Sequence, residues 1–308
     1  MSKFSLLPRR WRVKADAARH AEAIAGILDT APIRPAQDGV VLFSMIGTAV
    51  LLPYLVAVKS LWRELGRGRV AILDDGTLTA QDRAILAHHC GDPEMFSIAQ
   101  VDTAGFPKGG CWERFLTILD HRAGEYWIQL DSDTVTLGPV PELAQAIAIN
   151  RSFTLLGGPD AAALPLELAA FAGAAYPQGP MGGHIQSQVE SRLGLVDRPG
   201  WRYVRGCAGF AGFAAGGPGR NLAAAFLAEM AGLAGPEQMA TWGTEQIASN
   251  FHIANEPGAV LLPYDRYMNY WNEDWAPGTA FVHFVGTHRY DNGAYERASL
   301  TAINRLKS

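Results

Sequence analysis

In Tyr126-Trp127-Ile128-Gln129-Leu130-Asp131-Ser132-Asp133, a short run of large and branched side chains ends abruptly in two carboxylates one residue apart. Such a run, too short for a buried helix, reads as a buried strand with the acids in the turn that follows it. The pattern recurs upstream. Val40-Val41-Leu42-Phe43-Ser44-Met45 is another apolar strand, broken at Gly47-Thr48 and followed by a helix over Pro53–Leu65 with Gly66 just past its end. Val70-Ala71-Ile72-Leu73 is a third, stopped by Asp74-Asp75-Gly76, after which Thr79 caps a helix over Ala80–Cys90. Phe96–Ala99 is predicted as a strand and Cys111–His121 as a helix. This alternation predicts an α/β fold, a Rossmann-like and mostly parallel sheet flanked by helices. Ligands of such sheets bind beyond the carboxyl ends of the strands. Here those ends are the turns at Ser44–Thr48, Asp74–Gly76 and Asp131–Asp133.

Outside this core, Ala15–Leu28 reads as an Ala-rich helix and Ala31–Gln37 as a proline-containing linker. The division expected is therefore an N-terminal helix and linker over residues 1–37 and a single domain over 38–308. Gly157–Gly183 is rich in Ala, Gly and Pro and is predicted to hold one short helix between loops. Val204–Ala215 alternates small and aromatic residues around Gly206, Gly209 and Gly212, which predicts strands with close backbone approach. Leu222–Leu233 and Thr244–Asn250 read as helices, the second capped by Thr244, and Phe281–Tyr290 starts as a strand and ends in a polar turn.

Composition narrows the function classes. Of 308 residues, 48% are hydrophobic and 18% charged, which provides a large core and argues against global disorder. A net charge of −4 lacks the basic surplus of proteins that live on nucleic-acid backbones, so no nucleic-acid partner is expected. Cys90, Cys111 and Cys207 have no CxxC spacing and read as reduced thiols, which places the protein in the cytoplasm. Met1–Lys14 is basic but lacks the apolar core of a signal peptide. The longest apolar stretch, Ala49–Val58, is interrupted by Pro53 and too short to span a bilayer, so no transmembrane segment is expected. The basic-aromatic group Arg9-Arg10-Trp11-Arg12 leaves peripheral membrane contact open beside the plainer reading of a solvated terminus.

Asp131 and Asp133 carry the chemistry. Two close negative charges repel, and folding does not call for them, so the pair makes best sense around a divalent cation. Oxygen ligands suit Mg2+ or Mn2+, which keep positions open for phosphate oxygens. The competing reading is a strand-end turn, where Asp and Ser are favoured in any case. A second element, His283-Phe284-Val285-Gly286-Thr287-His288-Arg289, follows an apolar strand near the other end of the chain. Neutral imidazole at His283 can complete a metal site begun by carboxylates. Gly286 admits backbone close to phosphates, and Arg289 can hold a diphosphate by charge-assisted hydrogen bonds. The competing reading is a strand-end histidine beside a solvated arginine.

In order and spacing these segments resemble the GT-A-fold nucleotide-sugar glycosyltransferases, in particular the glycogenin-like retaining branch and its bacterial relatives. Val40–Phe43 with its following helix is similar to the family's uridine-binding first unit. Cys111-Trp112-Glu113-Arg114-Phe115-Leu116, then Tyr126–Val135, resembles its helix with a basic residue followed by the strand and DxD. Pro139–Leu143 is similar to the short segment that commonly follows. His283, Gly286 and Arg289 fall at the spacing of an HxxGxxK element, with Arg in place of Lys. Together these span roughly residues 40–290.

The resemblance implies a metal-dependent hexosyltransferase. It would move a sugar from a nucleoside diphosphate sugar, a UDP-sugar above all, to a hydroxyl of a glycan, lipid or small-molecule acceptor. It implies Mn2+ (or Mg2+) on Asp131, Asp133 and His283, Arg114 near the donor phosphates or sugar, and Arg289 with Gly286 on the diphosphate. Ser44, Gly47 and Thr48 would lie near the nucleoside and Ser132 near the ribose. Asp74-Asp75-Gly76 resembles the DDG turn of many bacterial glycosyltransferases, with a plain strand-ending turn as the equal alternative. Cys207-Ala208-Gly209-Phe210 stands where the family often has Asn-x-Gly-Phe, and so lacks the amide that meets the sugar. Thr241-Trp242-Gly243-Thr244-Glu245-Gln246 resembles the region facing donor sugar and acceptor. That makes Glu245 a catalytic candidate, as a base or as a stabiliser of an oxocarbenium-like transition state; the alternative is a first-turn helix acid. Tyr264, Tyr267, Tyr270, Trp271 and Trp275 form either a sugar-stacking wall or part of the core. Two rival functions are a sugar-phosphate nucleotidyltransferase, whose Gly-rich N-terminal signature is not found, and a catalytically silent homologue that binds a glycan or protein partner.

Overall fold

A computed structural model of the protein describes residues 9–308; Met1–Pro8, at the start of the basic N-terminal stretch, lie outside the described residues. In chain order the elements are α1 (Arg9–Ala23), β1 (Val40–Ile46), α2 (Leu51–Leu65), β2 (Arg69–Asp74), α3 (Ala80–Cys90), β3 (Glu94–Ser97), α4 (Trp112–His121), β4 (Tyr126–Leu130), β5 (Thr134–Thr136), α5 (Pro141–Ala148) and β6 (Phe153–Leu156). They continue with β7 (Leu166–Glu167), α6 (Leu168–Ala175), α7 (Ile185–Glu190), β8 (Arg202–Tyr203), β9 (Gly206–Phe213), α8 (Arg220–Ala234), α9 (Thr244–Ala254), β10 (Val260–Leu262), β11 (Tyr267–Asn269), β12 (Phe281–His283) and α10 (Ala294–Lys307).

The central sheet has seven strands in the order β10-β6-β9-β4-β1-β2-β3. β4, β1, β2 and β3 run parallel, and β9 is antiparallel to both its neighbours, β4 and β6. The registers Leu42↔Ile128 and Leu42↔Val70 bring the carboxyl ends of β4, β1 and β2 to one edge. Along β1 the side chains alternate between faces, as a pleated strand requires. Leu42 and Ile46 pack with Tyr54 and Leu55 of α2, whereas Val41 and Phe43 pack with Trp112 and Phe115 of α4 and Phe251 of α9. Each such fully buried side chain contributes about 1.5–3 kcal/mol, so both faces of the sheet anchor the strand ends that carry the polar turns.

A smaller sheet, β11-β12-β5, flanks the main one; β12 is parallel to β11 and antiparallel to β5. Sequence periodicity identifies neither β5, β6, β10 nor β11, because three or four residues hold too few alternations to be read. Nor does it single out α10, which packs on α2 and β5. Four expectations shift. The N-terminal helix runs over Arg9–Ala23 rather than Ala15–Leu28, and Ala25–Asp29 form a separate 3-10 helix. β3 begins at Glu94 rather than Phe96, and Ile98–Gln100 coil into a single 3-10 turn. Val204–Ala215 holds one long strand, β9, rather than several. The cap of α9 is Gly243 in the left-handed region (φ +103°), with Thr244 already inside the helix. The Thr244 hydroxyl is claimed by tertiary partners, accepting from the buried Trp112 indole at 2.9 Å and donating to the Met239 carbonyl at 2.8 Å. Thr79, by contrast, caps α3 in a full capping box with Asp82. Among the described residues no helix is long and apolar enough to cross a membrane.

Candidate functional site

The turn after β4 is closed by its own backbone. Asp131 N–H donates to the Gly209 carbonyl of β9 at 2.9 Å, and Thr134 Oγ1 donates to the Asp131 carbonyl at 2.9 Å. Distant sequence then arrives by strand pairing. In the β5–β12 ladder His283 lies opposite Thr134, and Phe284 N–H donates to the Asp133 carbonyl at 2.8 Å. His283 Nε2 consequently stands 3.3 Å from Asp133 Oδ1 and 4.0 Å from Asp131 Oδ2. One ligand atom from each of the three residues lies within 4.8 Å of the others.

The far side of the imidazole fixes its tautomer. Asn269 Nδ2 donates to the Leu156 carbonyl at 2.8 Å, which turns Asn269 Oδ1 toward His283 Nδ1 at 2.8 Å. An amide oxygen only accepts, so Nδ1 carries the hydrogen, and in the neutral ring the Nε2 lone pair faces the carboxylates. Two carboxylates and an oriented imidazole are a donor set that fits Mn2+ or Mg2+. Burial disfavours charge on both Asp133 and His283. For Asp133 the neighbouring His283 and Arg289 outweigh it and hold the carboxyl below its usual range. For His283 the Cys207 sulfur and Asp133 outweigh it and hold the imidazole above its usual value. Metal binding at Nε2 would therefore release a proton.

Gly209 makes room for this histidine. A Cβ there would lie 2.5 Å from His283 Cε1 and 2.7 Å from Nε2, closer than real contacts allow. Gly209→Ala is expected to push the ring off the carboxylates and to weaken Mn2+ binding roughly 10- to 100-fold, the usual cost of disturbing a ligand's support. Calorimetric titration with MnCl2 checks this, and unchanged affinity would show that His283 is not a ligand.

A second group meets the acids from the other side. The Trp112–Thr244 hydrogen bond locks the start of α4 to the start of α9, and Arg114, two residues on, reaches across to both partners. It donates to Asp131 and lies 3.3 Å from Glu245. Glu245 is buried, which pushes its carboxyl up to about 7; Arg114 opposes the shift and Asp131 adds to it. Glu245 is also an acid in the first turn of α9, but a buried one. Next to it, Gln246 accepts from Ala208 N–H at 3.2 Å and donates to Gln186 at 3.0 Å, tying α9 to β9 and α7. Arg289, on the loop beyond β12, donates to Asp133 and to the Phe284 carbonyl.

Asp131, Asp133, His283, Arg289, Arg114 and Glu245 are thus one cluster. It opens to solvent through Asp131 and Arg289, whose side chains are 30% and 29% exposed, whereas Arg114 is buried. Surface grooves of about 370 and 440 Å³ are lined by other residues, among them Trp275 and Arg297 in one and Phe106 and Leu227 in the other. Ser132 joins the cluster through its backbone, its carbonyl accepting from Tyr295 of α10 at 3.1 Å. Gly286 lies in the exposed loop before Arg289, with open space where a Cβ would stand.

The remaining candidates sit at the neighbouring strand ends. Ser44 is buried and donates to the Leu130 carbonyl at 2.7 Å, directly before Asp131. Gly47 lies against Asp75 and Thr77 so closely that any side chain would collide with them. Thr48 donates to Asp82 at 2.6 Å. Asp74 is consumed by its own turn, accepting from Gly76 and Leu78 N–H and pairing with Arg83, whereas Asp75 is exposed. Of the aromatic group, Tyr267 and Tyr270 belong to the core, Tyr264 and Trp275 are half-buried, and Trp271 alone is exposed. Asn269 and Tyr295 carry no sequence signal, since each gains its role only from strand or helix packing. Cys207 packs its sulfur 3.3 Å from His283 Nδ1.

The fold has known counterparts. The chain is similar to the galactosyltransferase LgtC, solved in complex with donor and acceptor sugar analogues, with a TM-score of 0.53 and 12% identity over 85% of this chain and 95% of that one. An active-site mutant of LgtC gives 0.53 with 14% identity over the same shares. The bifunctional glycosyltransferase WbbM gives 0.50 with 12% identity, covering 88% of this chain and 53% of WbbM. The chain therefore has the GT-A glycosyltransferase fold. No family model matches the sequence, and no curated protein matches it.

Proposed function

We propose that the protein is a metal-dependent glycosyltransferase, moving a hexose from a nucleoside diphosphate sugar, a UDP-sugar first among them, to a hydroxyl of a glycan, lipid or small-molecule acceptor. The observation that carries this reading is the meeting of Asp131, Asp133 and His283 at the carboxyl end of β4. With reduced thiols and no membrane-crossing helix among the described residues, we place the reaction in the cytoplasm.

Asp131, Asp133 and His283 would hold Mn2+ or Mg2+, which neutralises charge that grows on the diphosphate as the sugar–phosphate bond breaks. Arg289 and Arg114 now pair with these same carboxylates. Once the carboxylates are engaged, both guanidinium groups are free to turn to phosphate oxygens, Arg289 on the diphosphate and Arg114 nearer the sugar. Gly47, Thr48 and Asp75, with Ser44 behind them, form the nucleoside end, and Ser132 meets the ribose. Glu245, half-ionised near neutral pH, accepts the proton of the acceptor hydroxyl in an inverting reaction or stabilises positive charge at the anomeric carbon in a retaining one.

Calorimetry with UDP, with and without Mn2+, tests the reading, followed by hydrolysis of UDP-, GDP- and TDP-sugars without acceptor. Metal-independent UDP binding or none at all would overturn it and leave a binding module on the same fold. Arg289→Ala should weaken UDP binding about 10- to 100-fold, the worth of a charge-assisted hydrogen bond, while uridine binding stays within about twofold. An equal loss for both ligands would remove Arg289 from the diphosphate.

A further inference from the structure

Trp242 is 70% exposed, although full burial of an aromatic side chain is worth roughly 2–3 kcal/mol. It stands three residues before Glu245, on the turn that opens α9. Two glycines hold that turn against its neighbours. Gly243 takes a left-handed backbone, and a Cβ on it would lie 3.0 Å from His184 Cε1. Gly110, just before α4, brings its own backbone up to Ala240–Trp242, a Cβ there standing 3.8 Å from Trp242 Cα. The Trp242 backbone is thus held against the segment leading into α4, and the turn after it against the start of α7, directly before the first turn of α9 that carries Glu245.

The side chain beside the indole is exposed His184, the cap of α7, which meets it edge-to-face with ring centroids 5.9 Å apart at 80°. Its Nδ1 accepts from Gln186 N–H at 3.2 Å, so in the neutral ring Nε2 carries the hydrogen, and that N–H has no hydrogen-bond partner among the described residues. Gln186 in turn accepts from Gln246, the neighbour of Glu245. An apolar ring face with a directed N–H donor at its edge matches one face of a pyranose: axial C–H groups against the ring, a hydroxyl on the donor.

We propose that Trp242 and His184 form the acceptor subsite, on which a pyranose of a glycan acceptor stacks with its reacting hydroxyl toward Glu245. This rests on the glycosyltransferase reading and deepens it by naming the acceptor as a carbohydrate rather than a lipid or another small molecule.

The test is binding of the labelled full-length protein, with UDP and Mn2+, to an array of immobilised mono- to tetrasaccharides of the gluco, galacto and manno series. UDP affinity is measured in parallel by calorimetry. Wild type is expected to retain a defined subset of glycans. Trp242→Ala should lose at least about tenfold of that binding and Trp242→Phe much less, as expected for a stacking surface, with UDP affinity and thermal stability unchanged because the side chain is exposed. Trp271→Ala, the other exposed tryptophan near the site, should bind like wild type. Capture of the same glycans by Trp242→Ala, a loss confined to Trp271→Ala, or no glycan binding by a wild-type protein that still binds UDP with Mn2+ would each overturn the assignment. Failure of UDP to bind, with Trp242-dependent glycan capture intact, would sink the donor reading instead.

Discussion

Replacing Asp133 by alanine is expected to abolish Mn2+-assisted binding of UDP, with a loss of at least about 100-fold, because even supporting residues of a metal site are worth 10- to 100-fold. Asp133 is the junction of the cluster. One oxygen faces His283 Nε2 at 3.3 Å and the other takes a hydrogen bond from Arg289. Deleting the carboxylate removes a ligand and leaves the Arg289 guanidinium without its partner beside the incoming cation, which it repels. Asp133→Asn separates the two causes. It keeps the volume and an oxygen for Arg289 but lacks the charge, so it should stay folded and still lose most of the metal-dependent affinity. UDP affinity unchanged in both variants, measured by titration with and without MnCl2, would dismantle the site. A parallel loss of uridine binding would instead point to local unfolding.

The second large effect concerns turnover. Glu245→Gln should lower kcat by about 100- to 10,000-fold, the range of a general acid–base group, while UDP affinity changes by no more than about twofold. The pH profile carries the sign. Burial raises the Glu245 carboxyl to about 7, so its ionised fraction, and with it kcat, rises as pH climbs through that region. A cation bound nearby moves this limb to lower pH, since positive charge favours the carboxylate. In the Gln variant the limb disappears. Stability moves oppositely. The folded protein holds the Glu245 proton up to about 7, against 4.5 for an unperturbed Glu, so this contribution is complete below 4.5 and is lost as pH rises toward 7. The Gln variant, neutral throughout, lacks that loss. Undiminished kcat in Glu245→Gln would take the residue out of the chemistry.

Part of the site is legible in the amino-acid sequence alone. Asp131 and Asp133 announce themselves locally, because a strand that ends in two acids needs no distant information to be recognised. Glu245 and Arg114 are harder to read. Their pairing depends on the Trp112–Thr244 hydrogen bond, which joins two helices that are far apart in sequence. The cap expected at Thr244 fails for the same reason: its hydroxyl is committed to a buried indole, and Gly243 supplies the turn instead. Asp74 illustrates the converse. In sequence it stands beside Asp75 as an equal candidate, and only the chain's return through Gly76, Leu78 and Arg83 shows that its oxygens are already engaged. The aromatic group Tyr264–Trp275 can be read as one surface, yet its members divide between core and solvent because β11 turns Tyr267 inward against β12.

What the amino-acid sequence determined alone is the parallel α/β framework and the position of the acids at a strand end. Both follow from short-range patterns of apolar and polar residues, which burial enforces wherever the chain folds. What only the tertiary structure decided is how distant side chains reach those acids: His283 is a candidate from its place after an apolar strand, but its arrival beside them, and the parts played by Asn269 and Gly209, are not readable there. His283, Asn269 and Gly209 meet them through pairings of β5, β9, β11 and β12, three of them only three residues long. Strands that short have no periodicity of their own, and their place is set by the long-range contacts they complete.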